Sequence, residues 1–302
     1  MDLRPYIKNT RQFNQAIELI KANTLCYQPF ILHDDLEVGE GQNLVDRYIN
    51  VESVFDLNVY ARDIDLGGRK LVTDKDYFRK CNAEYRELYD FIKNTIYDFN
   101  NKDLSDLSFA EIGCNSGLNL FNLAKMGAKH CVGYDWNNMG PTFNWLNEIL
   151  GTNVEFVQGT WDNLLHNFTT KDIPEVDIMI NTVFTNHQCD PLQFLAYICD
   201  RAKKGVFLMV LMDGSEEGAV LSYSAERNDI LENDSKFPLN FNNCVAISKN
   251  LLECSLKKLG FGEITEAYPS VSNLKWSFFT RGFRTFYATR TADVKSAYWK
   301  EG

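Results

Sequence analysis

Several things are scarce in this chain of 302 residues, and each scarcity closes a door. No apolar run approaches the ~18–20 residues that a membrane-spanning helix needs, so no membrane is expected as a partner. The opening Met1-Asp2-Leu3-Arg4-Pro5 has no apolar core of the signal-peptide kind, and a cytoplasmic protein is the expectation. The eight cysteines (26, 81, 114, 131, 189, 199, 244, 254) form no C-x-x-C pair, which removes the usual zinc and dithiol signatures. Several sit inside apolar periodic segments and read as buried free thiols. No other metal-ligand constellation is present, so metal-independent chemistry is expected. Positive charge is short as well, 31 Lys and Arg against 41 Asp and Glu, a net charge of −10. That balance argues against broad, sequence-independent binding of a phosphate backbone, although Arg69-Lys70 and Arg79-Lys80 leave room for a local basic patch.

What is present is an ordinary soluble composition, 45% hydrophobic and 24% charged, around one informative stretch. Ser108-Phe109-Ala110-Glu111-Ile112 is long enough for one buried strand and breaks into Gly113-Cys114-Asn115-Ser116-Gly117. Leu118, Leu120, Phe121, Leu123, Ala124 and Met126 then recur at helical spacing until Gly127. A second strand, Cys131-Val132-Gly133-Tyr134, ends on Asp135. Strand, glycine turn, helix, strand, acid is the first half of a nucleotide-binding α/β sheet. Gly113 and Gly117 allow a sharp turn and a close approach of backbone to ligand, and Asn115 is the non-glycine residue best suited to positive φ between them. The helix that starts near Gly117 points free N–H groups at the ligand. Asp135 is placed to accept from two ribose hydroxyls.

A dinucleotide site needs G-x-G-x-x-G, here glycine at 113, 115 and 118, and the chain has Asn115 and Leu118 instead. The pattern resembles the acidic-x-G-x-G-x-G loop of class I S-adenosylmethionine (SAM)-dependent methyltransferases, with Glu111, Gly113 and Gly117 matching and Asn115 in the middle position. The competing reading, a turn with incidental glycines, leaves the spacing of Asp135 unexplained. The resemblance covers about residues 105–290. It implies an α/β fold: a Rossmann-like seven-stranded methyltransferase sheet with an antiparallel C-terminal hairpin, here with an N-terminal helical extension and a lid insertion. Within the family the chain is similar to the carboxymethyltransferase-like group that modifies the tRNA wobble uridine. The shared features are Ile112-Gly113-Cys114-x-Ser116-Gly117, the Gly127-Ala128-Lys129-His130 run leading to Asp135, and His187 shortly before Asp190-Pro191. These features also occur in small-molecule methyltransferases and do not choose the substrate.

The remaining segments are placed by the same rules. Residues 11–23 and 74–99 read as amphipathic helices, the second rich in aromatics. The polar linker at 100–103 separates an N-terminal extension or cap, 1–104, from a cofactor-binding core, 105–302. Helices are expected over 142–150, from Asp190-Pro191 to about 204, and over 246–259, and strands over 154–158, 176–183, 205–212, 261–268 and 283–289. The stretch 213–245 is too long and polar for a plain connection and is read as a lid. The resemblance implies a bound SAM cofactor touching Glu111, Gly113, Cys114, Asn115, Gly117, Asp135 and Trp136. Trp161 and Asp162 stand where the family contacts adenine, and Asn181 and Thr182 lie at the carboxyl end of the 176–183 strand, where ligands collect. Tyr77 and Tyr223 are candidates to bind the acceptor substrate.

Because a sulfonium methyl is already activated, the protein mainly aligns an acceptor with it and removes the acceptor's proton. His187 is the candidate general base, as the one of four histidines that follows a strand's carboxyl end; a purely structural role near the helix N-cap is its alternative. The leading expectation is a methyltransferase for a small polar metabolite or sugar. A tRNA-modifying enzyme using SAM or a derivative is the alternative, with nucleic acid as a possible but less favoured partner. A non-catalytic methyltransferase-like binding module is a third reading.

Overall fold

Phe13, Ala16, Ile17 and Ile20 form one buried side of helix α1 (Thr10–Lys21), whose N-cap Asn9 accepts the backbone N–H of Gln12. Strands β1 (Phe30–His33), β2 (Leu36–Glu40) and β3 (Arg47–Val51) follow as an antiparallel sheet in that order. The N-terminal extension is therefore not only helical, as the sequence led us to expect. Its strands are too short to show a long alternating pattern, and β2 and β3 pack against the long helix α2 (Lys75–Phe99). Leu88, Ile92 and Ile96 bury one stripe of α2 at intervals of four residues. This computed structural model describes residues 1–22, 24–25, 28–34, 36–40, 47–51, 75–159, 173–182, 184–188, 190–214, 218–225, 243–267 and 282–294. Val54-Phe55-Asp56-Leu57, which reads in the sequence as a short extended run, lies outside the described residues.

The rest of the chain alternates strand and helix. In order come β4 (Ser108–Ile112), α3 (Leu118–Lys125), β5 (His130–Asp135), α4 (Gly140–Leu150), β6 (Val154–Gln158), β7 (Val176–Thr182), α5 (Pro191–Arg201) and β8 (Ala202–Leu211). A hairpin, β9 (Leu221–Ala225) and β10 (Asn243–Ile247), precedes α6 (Lys249–Lys258), β11 (Phe261–Ala267) and β12 (Phe283–Arg290). Seven strands form one sheet in the order β6-β5-β4-β7-β8-β12-β11. The pairings β5–β6, β4–β7 and β7–β8 are parallel, and β12 runs antiparallel to both β8 and β11. This is the sheet with an antiparallel C-terminal hairpin that the motif implied. Its middle strands are apolar almost throughout because helices cover parallel strands on both faces. Among the described residues no helix is long and apolar enough to cross a membrane.

The chain falls into two compact units, one built from Met1–Asp106 and Cys114–Gln158, the other from Leu107–Gly113 and most of the chain after Gln158. In the first, Trp145 of α4 donates its indole N–H to the Gln12 carbonyl of α1 at 3.0 Å. In the second, Arg290 at the end of β12 donates to the carbonyls of Cys199 and Ala202 and lies 4.4 Å over the Phe261 ring. The expected lid contains the β9–β10 hairpin, and its residues 226–242 lie outside the described residues. The helix expected from 246 starts at Lys249, because Val245, Ala246 and Ile247 pair with β9 and Ser248 caps the helix, accepting from Leu251 N–H at 3.3 Å. Likewise α5 stops at Arg201, short of the expected 204, and the chain passes directly into β8.

A 3₁₀ turn, Phe184–His187, follows β7 and is tied down by one buried amide. Asn186 accepts the N–H of Leu211 at 2.9 Å and donates to the carbonyls of Leu211 and Val245, joining the turn to β8 and β10. Replacing Asn186 by Ala leaves these backbone groups without partners in a dry site. Asn186→Ala should lower the unfolding free energy by about 2–3 kcal/mol, read as a lower urea midpoint at unchanged slope.

Candidate functional site

The glycine loop departs from β4 with three residues in the left-handed region: Gly113 at φ 72°, Asn115 at φ 53° and Gly117 at φ 78°. Asn115 thus takes the positive φ its place in the motif required, and its side-chain oxygen accepts the N–H of Ser116 at 2.8 Å. Its own N–H donates to Asp135 Oδ2 at 2.8 Å, while Asn137 N–H donates to Oδ1 at 2.9 Å. Asp135 is buried (4% exposed), and burial pushes its carboxyl above the usual range while the surrounding N–H donors pull it back. Cys114 is buried beside it in the loop, its N–H on the Tyr134 carbonyl at 3.1 Å. Trp136, next after Asp135, keeps 37% of its surface exposed.

The same unit contains a contact that the sequence did not announce. Gln28 accepts the N–H of Leu118, the first residue of α3, at 2.9 Å and donates to the Cys114 carbonyl at 3.3 Å. The Thr24 carbonyl accepts the hydroxyls of Ser116 at 2.9 Å and Thr142 at 3.0 Å. Nothing in the spacing of Thr24 or Gln28 signals this. The one available clue was that Gly117 cannot cap α3 with a side chain, so an acceptor had to come from elsewhere.

In the other unit, Glu111 at the end of β4 is fully buried, and Thr182 donates its hydroxyl to Glu111 Oε1 at 3.1 Å. Asn181, also fully buried, accepts the N–H and hydroxyl of Thr185, at 3.0 and 2.5 Å, on Oδ1. That fixes the orientation of the amide and leaves Nδ2 as a buried donor with no partner among the described residues. Gly113 has a packing role besides its dihedral, since a Cβ there would stand 2.7 Å from the Phe184 ring. Asp190 caps α5 as expected, accepting from Gln193 N–H at 2.9 Å with Pro191 in the first turn. Trp161 and Asp162 lie outside the described residues. So do the side chains of Tyr77, His187 and Tyr223, whose backbones belong to α2, the 3₁₀ turn and β9.

This sheet order and loop are those of the class I methyltransferase fold. The protein's similarities to known proteins agree. The magnesium protoporphyrin IX methyltransferase of Synechocystis PCC 6803 with bound S-adenosylhomocysteine superposes with a TM-score of 0.51 at 16% identity, over 74% of this chain and 90% of that one. Its SAM-bound form gives a TM-score of 0.50 at 14% identity, over 80% of this chain and 100% of that one. In sequence, a tRNA U34 carboxymethyltransferase of Campylobacter fetus is 28% identical over 144 residues, 45% of this chain. The match spans about half of that relative, 47% of its length. No family model matches the chain. The resemblance read from Glu111, Gly113, Gly117 and Asp135 is thereby borne out at the level of the fold.

Gly117 allows a direct check on the loop. A Cβ at residue 117 would stand 2.5 Å from Phe143 Cζ of α4, and a left-handed φ costs any other residue about 1–2 kcal/mol. Gly117→Ala should therefore destabilise the protein by roughly 2 kcal/mol or more in urea unfolding, with Phe143→Leu partly restoring the loss by making room.

Proposed function

We propose that the protein is a SAM-dependent methyltransferase acting on a small polar metabolite or sugar, by O- or N-methylation. One observation carries this most strongly: the buried Asp135 carboxylate at the end of β5 is bonded to the N–H of Asn115, in the middle of the strained loop. A charge-bearing acceptor beside a positive-φ turn at the start of a helix suits a nucleoside whose tail ends in a carboxylate. Asp135 accepts from the ribose hydroxyls, and the loop residues Gly113, Cys114, Asn115 and Gly117 bring their backbone to the cofactor. Glu111, Trp136, Trp161, Asp162, Asn181 and Thr182 complete the set. Asn181 supports this assignment because its Nδ2 is a buried donor suited to a ligand oxygen.

Bound SAM supplies an activated methyl on a sulfonium. The chain's own residues orient the acceptor and take its proton. His187, in the turn directly after β7, is assigned as general base, with Tyr77 and Tyr223 as acceptor contacts. We divide the chain into a cap, 1–104, and a cofactor-binding core, 105–302, with 213–245 as a lid. The sequence similarity to a tRNA U34 carboxymethyltransferase favours a second reading, transfer to tRNA from SAM or a derivative of it. Incubating the purified protein with methyl-labelled SAM and either tRNA or a small-molecule extract separates the two, because label enters one pool or the other. A protein that binds SAM, labels neither pool and leaves the mass of tRNA nucleosides unchanged when a SAM derivative is the donor is a binding module.

The cofactor reading is tested at Asp135. Asp135→Ala should weaken SAM binding by about 1.5–3 kcal/mol in calorimetry, the effect of a lost charge-assisted hydrogen bond. Unchanged affinity in the folded variant rejects the assignment. In the wild type the carboxylate form accepts from ribose, and burial raises its pKa, so affinity should decline on acidification while exposed aspartates are still ionised.

His187→Ala tests the base. With saturating SAM, turnover should fall by about 10²–10⁴-fold at little change in SAM affinity. A loss under about tenfold in the folded variant assigns the residue to structure, or the acceptor to a class that arrives already ionised.

A further inference from the structure

Gln28 is 4% exposed, and its carboxamide reaches a loop that lies about ninety residues further along the chain. The two hydrogen bonds fix its orientation, because the Leu118 N–H can only donate and the Cys114 carbonyl can only accept. Nε2 also lies 3.3 Å from the hydroxyl oxygen of Tyr89 on α2, which holds the amide from its far side. One side chain thus grips the loop at both ends: at Cys114, where it leaves the strand, and at Leu118, where the helix begins. Between those points the backbone holds positive φ at Asn115 and Gly117. Such a conformation persists only where its surroundings over-determine it. Helix α3 provides little help, since its N-cap is a glycine without a capping side chain.

We infer that Gln28 is a positioning residue for the cofactor, acting through the loop Cys114–Leu118 without touching the reaction. The inference rests on the methyltransferase reading above. With Gln28 in place, the loop presents the N–H of Asn115 to Asp135 and the acid stands ready for ribose. Without it, the loop populates other turns, and apparent affinity falls by the fraction of molecules that keep the competent one. The N-terminal segment is in this sense part of the cofactor site. The fastening of Ser116 and Thr142 to the Thr24 carbonyl places a second anchor four residues earlier on the same segment.

The test is calorimetric titration of S-adenosylhomocysteine into the full-length wild type and three variants, at a temperature where each is folded by circular dichroism. Gln28→Met keeps the volume and loses the hydrogen bonds to Leu118, Cys114 and Tyr89. Gln28→Glu keeps the acceptor for Leu118 and loses the donor to Cys114. Ser248→Ala removes the cap of α6 and serves as a destabilised control far from the loop in sequence. We expect Gln28→Met and Gln28→Glu each to bind about 5–30-fold more weakly, the second because its carboxylate repels the Cys114 carbonyl, and Ser248→Ala to stay within about twofold. Gln28→Met within about twofold of wild type overturns the inference, as does an equal loss in Ser248→Ala. If Gln28→Met does not fold, Gln28→Glu decides alone: weakening beyond about threefold supports the inference and wild-type affinity overturns it. A wild type that binds neither SAM nor its demethylated product overturns the methyltransferase reading first, and this inference with it.

Discussion

The hydrogen bond from Asn115 N–H to the Asp135 carboxylate is the constraint on which the candidate site depends. A carboxylate taken out of water needs donors, and two backbone N–H groups from its own neighbourhood supply them. To present its N–H to the acid, Asn115 takes a left-handed conformation, and the chain then turns into α3 at Gly117. That turn leaves no room for a Cβ beside Phe143, so the first turn of α3 and the packing of α4 follow from the same geometry. The Cys114 N–H on the Tyr134 carbonyl closes the arrangement on the β5 side.

Most of this loop was legible in the sequence because its signals are local. Gly113, Asn115 and Gly117 announce positive φ by residue type, helical periodicity after Gly117 announces α3, and Asp135 ends a short apolar strand. The cap of α5 was equally plain, Asp190 followed by Pro191. The alternation of strand and helix after residue 105, with two closing strands, gave the sheet. Gln28 was illegible for the opposite reason. Glutamine has no strong conformational preference of its own, and its partners lie in a loop that only the folded chain brings near. In the sequence, residues 24–72 show only short extended runs, without the bounds or pairing of β1-β2-β3, because strands of four or five residues carry too few alternations to stand out. Ala246-Ile247 reads as the start of the following helix because a short apolar run suits either structure, and its pairing with β9 makes it strand.

The sheet illustrates how burial shapes composition. β4 and β7 lie at its centre, and their apolar runs end in Glu111 and Asn181, both fully buried, and in the half-buried Thr182. Polar side chains at that depth persist where hydrogen bonds repay their dehydration, as Thr182 does for Glu111 and Thr185 does for Asn181. The polar ends of these strands are therefore organised by their own contacts.

The position of β12 has a consequence for how the protein is made. Strand β11 reaches the sheet only through β12, which lies between it and β8. A chain growing from its N-terminus therefore completes α6 and β11 while the hydrophobic flank of β8 is still an open edge, a surface prone to pairing with other chains. Residues 283–290 close that edge in one step, and Arg290 then clasps the ends of α5 and β8 through the Cys199 and Ala202 carbonyls. Translation stalled before this segment would yield a nascent chain with β11 unplaced and the β8 edge open, so the last strand of the sheet to be synthesised protects the earlier ones from aggregation.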